Sequence, residues 1–245
     1  MNDFDDQLAV VTGAAQGLGL AITMLLLERG ARVAMLDLDE ARLRDSAQAL
    51  DAGDRVMWHC VDVTDEAAVI AAKDRIEQTS GVADLLVNNA GIYPHATLDE
   101  ISVADWDHVF DVNVKSAFLM TRAFTDAMKP RGYGRVVNIV TVDAYKAKPT
   151  TPHYAASKAA LGNLLKTFAL ELAPHGVLVN GVSPGAIATE RAKSQSWLPL
   201  RIKEIPIGRA AEPEDIAEVV LFLGSKRNRF IVGETVIASG GAVML

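Results

Sequence analysis

Short apolar runs rich in β-branched residues recur along the chain, and each but the last is followed by a longer segment of helical period. The runs are Leu8–Val11, Arg32–Asp37, Val56–Val61, Leu85–Asn88, Arg135–Thr141, Val177–Val182 and Thr235–Ala238. The helical patterns cover Leu18–Arg29, Glu40–Leu50, Glu66–Gln78, Val103–Met128, Tyr154–Leu172 and Pro213–Leu223. Such alternation predicts an α/β fold, a doubly wound and mainly seven-stranded parallel sheet with helices on both faces.

The chain has 245 residues, enough to bury roughly 70–75 % of its unfolded surface without a disulfide or metal staple. No Ser/Pro/Gly-rich linker divides it and no period repeats, so one domain over 1–245 is expected. The least regular stretch, Ala186–Arg209, follows the sixth run, where such folds bind ligands, and reads as a substrate lid at about 186–209. Half the residues are hydrophobic and 22 % are charged, which is globular usage.

A net charge of −7 lacks the basic surface that binding a phosphate backbone requires, so nucleic acid is not expected as a partner. Cys60 is the lone cysteine, and His59, His95, His108, His153 and His175 show no metal-ligand spacing, so no disulfide and no metal are expected. The start of the chain is acidic rather than basic, and the most apolar stretch, Leu18–Leu27, is too short for the roughly 18–20 residues of a membrane span. No membrane contact is expected, and a cytoplasmic location is the default.

Thr12-Gly13-Ala-Ala-Gln16-Gly17-Leu18-Gly19 follows the first run directly and opens a helix. Glycines let the backbone turn sharply and approach a pyrophosphate, while free amides and the positive end of the helix dipole attract its charge. Eighteen residues after Gly19, the second run ends at Asp37, whose carboxylate is suited to a ribose hydroxyl pair and would repel a 2′-phosphate. Leu38 and Asp39 offer no compensating positive charge, and neither does the glycine loop, which favours NAD over NADP. A strand-end or helix-capping acid is the alternative reading of Asp37.

The spacing G-x-x-x-G-x-G departs from G-x-G-x-x-G and resembles the loop of the short-chain dehydrogenase/reductases, in their shorter, non-extended branch. Asn88-Asn89-Ala90-Gly91, Tyr154-Ala-Ala-Ser-Lys158 and Ser183-Pro184-Gly185 with Thr189 follow in the family's order, so the resemblance runs from Leu8 to about Gly241. It implies a Rossmann-type sheet and an oxidoreductase that interconverts a secondary alcohol and a ketone. Asp62, followed by Val63, would then bind the adenine amino group, and Asn89, Ala90 and Gly91 would wall the adenosine side. Asn88 would steady the sheet. Ile187 would meet the nicotinamide carboxamide through its backbone, and Thr189 would place a hydroxyl near that group or the pyrophosphate.

Tyr154 and Lys158 stand four residues apart, so both lie over one face of a helix. A phenol of pKa near 10 is a poor base at neutral pH. Lowering it by about 3 units takes roughly 4 kcal/mol, which a nearby ammonium and an oxidised nicotinamide supply in a partly dry cleft. The resemblance makes Tyr154 the acid/base and gives Lys158 a second task on the nicotinamide ribose. It also points to Asn113 as holder of a water in a proton relay. Thirteen residues before Tyr154, where the family usually has serine, stands Thr141, whose hydroxyl can donate in the same way while its methyl stiffens the rotamer.

Tyr93, His95, Asp143, Tyr145, His153 and Trp197 are the candidate substrate residues. An aromatic pocket and a polar or anionic substrate, suggested by Asp143, Lys146 and Lys148, both stay open. A homo-oligomer, dimer or tetramer, is expected from the small residues of the Tyr154–Leu172 helix and from the family. Two other readings stand beside the NAD-dependent dehydrogenase. One is an NADP-linked 3-oxoacyl-carrier-protein-type reductase, with Arg122, Lys129, Arg131 and Arg135 as a docking patch. The other is a catalytically idle dinucleotide sensor or scaffold.

Overall fold

The computed structural model describes residues 3–245. Its strands are β1 (Leu8–Thr12), β2 (Arg32–Asp37), β3 (Val56–Cys60), β4 (Leu85–Asn88), β5 (Gly134–Ile139), β6 (Val177–Pro184) and β7 (Thr235–Ala238). They form one parallel sheet in the order β3-β2-β1-β4-β5-β6-β7, which is the doubly wound Rossmann-type arrangement expected. The order reverses between β1 and β4, so the connections leaving these neighbouring strands part to opposite faces and open a crevice at the sheet's C-terminal edge.

Burial explains why the strand runs are apolar without alternation. Ala9 and Val11 of β1 join a core with Ile22 and Leu26 of α1 (Gly17–Glu28), Leu43 of α2 (Glu40–Ala49) and Ile216 and Val220 of a late helix, Pro213–Gly224. Leu8 and Val10 join a second core with Val69 and Ile76 of α3 (Glu66–Ser80) and with helices described below. The four apolar β1 side chains, Leu8 to Val11, are fully buried, and each larger one contributes about 1.5–3 kcal/mol of transfer free energy.

The helix expected over Val103–Met128 is interrupted. It runs as α4 (Val103–Phe110), opened by a reciprocal Ser102–Asp105 capping box, then a π turn over Asp111–Lys115, then α5 (Ser116–Arg131). Next comes α6 (Pro152–Leu172), with Pro152 in its first turn, where a missing amide costs nothing. Phe124 of α5 and Leu165 of α6 belong to the second core. Thr141, expected at the end of a strand, lies beyond β5 and caps a short 3-10 turn, Val142–Ala144, by accepting from the Asp143 amide at 3.3 Å.

Segment 186–209 contains α7 (Glu190–Lys193) and α8 (Trp197–Ile202), too short to write a helical period into the sequence. Ala188, Ala192, Leu198 and Ala210 give it a small core of its own. Its start is pinned by exchange of backbone hydrogen bonds between Ala186, Ala188 and Ala211, and its end by the Ile207 amide donating to Gly240. The Pro213–Gly224 helix, α9, follows. Among the described residues no helix is long and apolar enough to cross a membrane.

Asn88 ties the central strands together. Its Nδ2 donates to Asn138 Oδ1 on β5 at 2.9 Å and to Thr121 Oγ1 on α5 at 3.1 Å, while Asn138 Nδ2 reaches the Asn180 carbonyl on β6 at 3.3 Å. Removing one partner of a buried network leaves the others unsatisfied. Asn88→Ala is expected to lower unfolding free energy by roughly 1–3 kcal/mol in chemical denaturation; an unchanged midpoint would contradict the structural role.

Candidate active site

The crevice begins at the glycine loop. Gln16 precedes α1 in an extended conformation, no side chain caps the helix start and no acidic residue stands in its first turn, so its free amides face outward. Gly13 and Gly17 adopt φ of +64° and +57°, the left-handed region that favours glycine. A Cβ on Gly19 would run into the Gly13 carbonyl, and one on Gly13 would lie 3.0 Å from Ala90 Cα. The side chain of Asn89 completes the cradle by donating to the carbonyls of Thr12 and Gly13 at 2.9 and 3.1 Å.

Asp37, Leu38, Asp62, Val63, Asn89, Ala90 and Gly91 line one cavity of about 370 Å³ with Gly13 and Gln16. Asp37 is held at its rim, one carboxylate oxygen accepting from the Ala15 amide at 3.0 Å and the other from the Asp39 amide at 3.1 Å. The hydroxyl and amide of Thr64 hold the Asp62 carboxyl below its ordinary range. Leu38, Asp39 and the loop itself carry no positive charge, as expected, but α2 brings one close. Arg42, in the first turn of α2, donates to the Gln16 side chain and lies 3.7 Å from Asp39. This cradle fits a dinucleotide, with amides where phosphates are needed and carboxylates where hydroxyl and amino groups are.

Gly91 ends the cavity floor and opens the second half of the site. A Cβ there would lie 3.1 Å from Asn113 Oδ1 and 3.3 Å from Lys158 Nζ, so only glycine lets these groups crowd together. Asn113 sits inside the π turn, where the extra residue disturbs the helical ladder. Its side chain clamps the amide and carbonyl of Ile92 at 2.9 Å each and donates to Ser157 Oγ at 3.0 Å. Ser157, which sequence reasoning missed, donates onward to the Tyr154 carbonyl at 2.8 Å.

Lys158 is 4 % exposed, and its ammonium donates to the Ile139 carbonyl at 2.8 Å. Burial lowers its pKa to about 8. Tyr154 moves the other way, its phenol pushed up by burial and by the charge of Asp143, with the Thr141 hydroxyl bonding to it and opposing the rise. The lowered phenol expected from sequence is therefore not produced by the chain's own residues, which favour the neutral, proton-bearing form.

Tyr154 and Thr141 share a second cavity, of about 220 Å³, with Tyr93, His95, Asp143, Gly185, Ile187, Thr189 and Trp197. Pro184 closes β6 just before it. Thr189 of this cavity stands beside the glycine loop, since a Cβ on Gly17 would meet its methyl at 3.5 Å. Two candidate substrate residues lie outside the lining. Tyr145 is 40 % exposed at the end of the 3-10 turn, and His153, the helical neighbour of Tyr154, is buried and close enough to Asp105 of α4 to influence its charge. Lys146 and Lys148 do line the cavity, as do Arg201 and Glu204, which carried no periodic signal in the irregular segment.

Residues 13–243 match a family model described as Enoyl-(Acyl carrier protein) reductase. Gluconate 5-dehydrogenase of Gluconobacter oxydans is 36 % identical, over 95 % of this chain and 93 % of that one. Cis-4-hydroxycyclohexanecarboxylate dehydrogenase of Sinomonas cyclohexanicum is 38 % identical over 97 % of each. The chain belongs to the short-chain dehydrogenase/reductases. The 3-oxoacyl-[acyl-carrier-protein] reductase of Thermotoga maritima is 34 % identical over 98 % and 99 % of the two chains. A solved candidate gluconate dehydrogenase from Agrobacterium tumefaciens superposes with a TM-score of 0.94 at 30 % identity, covering 100 % and 99 %. The protein is thus a short-chain dehydrogenase/reductase acting on alcohols or ketones, and nicotinamide dinucleotides are this family's cofactors.

The buried amine of this short-chain dehydrogenase/reductase makes its stability depend on pH. Folded Lys158 titrates near 8 against 10.5 unfolded, so between those values the unfolded state binds the extra proton and stability rises with pH. Charging the buried amine below about pH 8 costs on the order of 3 kcal/mol. Denaturation of wild type and Lys158→Met across this window should show the difference moving by about that amount in favour of wild type as pH rises; parallel curves would refute it.

Proposed function

We propose that the protein is an NAD-dependent dehydrogenase interconverting a secondary alcohol and a ketone, one domain over 1–245 whose segment at about 186–209 serves as the lid. The reading rests chiefly on one juxtaposition: Tyr154 and Thr141 share a cavity wall with Ile187 and Thr189, and Thr189 stands beside Gly17 of the glycine loop. Bound NAD supplies a hydride acceptor there. Tyr154 exchanges the hydroxyl proton, and Thr141 holds the reacting oxygen with a short hydrogen bond. Lys158 bonds the nicotinamide ribose and, once its charge is supported there, favours the phenolate. Asn113 positions the π turn whose free backbone holds the relay water.

Asp37 is the basis for NAD, since a 2′-phosphate would meet its anchored carboxylate. Arg42 is shared between Gln16 and Asp39 and offsets this only in part. A carrier-protein reductase of the Thermotoga type is the second reading, but its expected docking patch is spent internally. Arg122 pairs with Glu66, Lys129 with Asp126 and Arg131 with Asp84, while Arg135 is 6 % exposed and bonded to backbone carbonyls. Exposed Phe118 and Leu170 on α5 and α6 support assembly as a homo-oligomer, dimer or tetramer.

Tyr154→Phe should reduce kcat by at least about 10²-fold while NADH titration, followed by fluorescence, gives nearly the wild-type Kd; wild-type turnover in the variant would sink the mechanism. NAD(H) should surpass NADP(H) in kcat/KM by about tenfold or more, a difference of roughly 1.4 kcal/mol, and Asp37→Ala should narrow the gap. The opposite preference in wild type would remove the argument from Asp37.

A further inference from the structure

The substrate cavity is charged against the rest of the protein. The chain carries a net −7, yet Lys146, Lys148 and Arg201 line this cavity against only Asp143 and Glu204. Arg191 stands beside them, its guanidinium 5.5 Å from the centroid of the Tyr93 ring. Lys148 is balanced by Asp143 at 3.7 Å, and one Arg201 nitrogen, Nη1, is engaged by Glu204 at 2.8 Å. Lys146 and Arg191 form no ion pair among the described residues. His95 adds no charge at neutral pH, because burial and then Lys148 hold its pKa below the ordinary value.

The cations come from two walls. Lys146 and Lys148 lie on the loop after β5, while Arg201 lies on α8 in the lining of the same cavity and Arg191 lies on α7 beside it. No hydrogen bond or ion pair among the described residues joins those two walls. The carboxylates offset only part of this charge, since Asp143 pairs with Lys148 while Glu204 pairs with Arg201 and also acts on Lys146. Tyr93, Ile187 and Trp197 thin the water that would screen the remaining positive charge, so an anion held in the cavity meets an excess of cations. A carboxylate suits the position, since Nε and Nη2 of Arg201 are left to donate as a planar pair.

Resting on the alcohol/ketone chemistry proposed for this same site, we propose that the cavity selects a short hydroxy acid or its oxo acid. Lys146 and Arg201 take the carboxylate from the two walls, while Tyr154 and Thr141 take the reacting oxygen. The cavity, about 220 Å³, lies below the usual range of pockets for drug-sized ligands, which suits a ketone and a carboxylate separated by a few carbons.

Oxo acids with two, three or four methylenes between ketone and carboxylate, each beside its methyl ester, test this with NADH and NADPH. With NADH bound, at least one acid should raise Tm while its ester does not, and Arg201→Leu should abolish the shift. Where turnover occurs, the acid should exceed its ester in kcat/KM by about tenfold or more. Arg201→Leu and Lys146→Leu should each collapse that ratio through KM, and Arg201→Lys should retain most of it. The ratio is read within each variant, so partial loss of folded enzyme cancels. Acids and esters behaving alike, or no acid stabilising the complex, would overturn the carboxylate assignment. Acids that stabilise the complex but are never reduced would uphold the clamp and overturn the reductase reading instead.

Discussion

The site depends on one close approach, between the turn that leaves β1 and the end of β4. Thr12 Oγ1 donates to the Val87 carbonyl at 3.3 Å and accepts from the amides of Asn89 and Ala90 at 3.0 and 2.9 Å, while the Asn89 side chain returns to the carbonyls of Thr12 and Gly13. These two strands flank the point where the sheet reverses its order. Their joined ends therefore form the floor of the crevice, and no side chain fits between Gly13 and Gly19. Two residues further, Gly91 admits Lys158 and Asn113. A single short stretch, 88–91, thus serves as strand end, as floor of the cavity beside the glycine loop and as the place where Lys158 and Asn113 crowd together.

Burial governs the electrostatics of that group. Taking the Tyr154 phenol and the Lys158 ammonium out of water favours the neutral form of each, which raises one pKa and lowers the other. At neutral pH the phenol keeps its proton, the state a reductase needs in order to protonate an alkoxide. In the mechanism proposed above, oxidation needs that proton removed, and the positive charge of a bound cofactor would add what the chain's own residues do not supply.

Much of this was legible along the chain. The strands and long helices fall within a few residues of the runs that mark them, because a strand buried on both faces must be apolar throughout and a covering helix must carry a stripe. The glycine loop, Asp37, Asn88–Gly91 and the Tyr154/Lys158 pair were legible because their chemistry depends on residue type at fixed local spacing. Thr141 was legible as a departure from serine, although its place beyond β5, capping a turn, was not. The π turn around Asn113 left no mark, since one inserted residue inside an otherwise helical stretch shifts the apolar stripe too little to notice.

Sequence by itself determined the sheet and the place of its crevice, and named the groups proposed to react, each by periodicity or by near neighbours. Tertiary structure decided what faces what. It left His153 out of the cavity that holds Tyr154, brought Arg42 to the glycine loop, paired Arg122 and Arg131 with carboxylates of other elements, and set Arg201 and Lys146 in the lining of one cavity. These pairings join residues from elements distant in the chain, and no local period or spacing encodes the distance between them. The direction of a side chain on a helix or a short loop is settled only when the packing that surrounds it is complete.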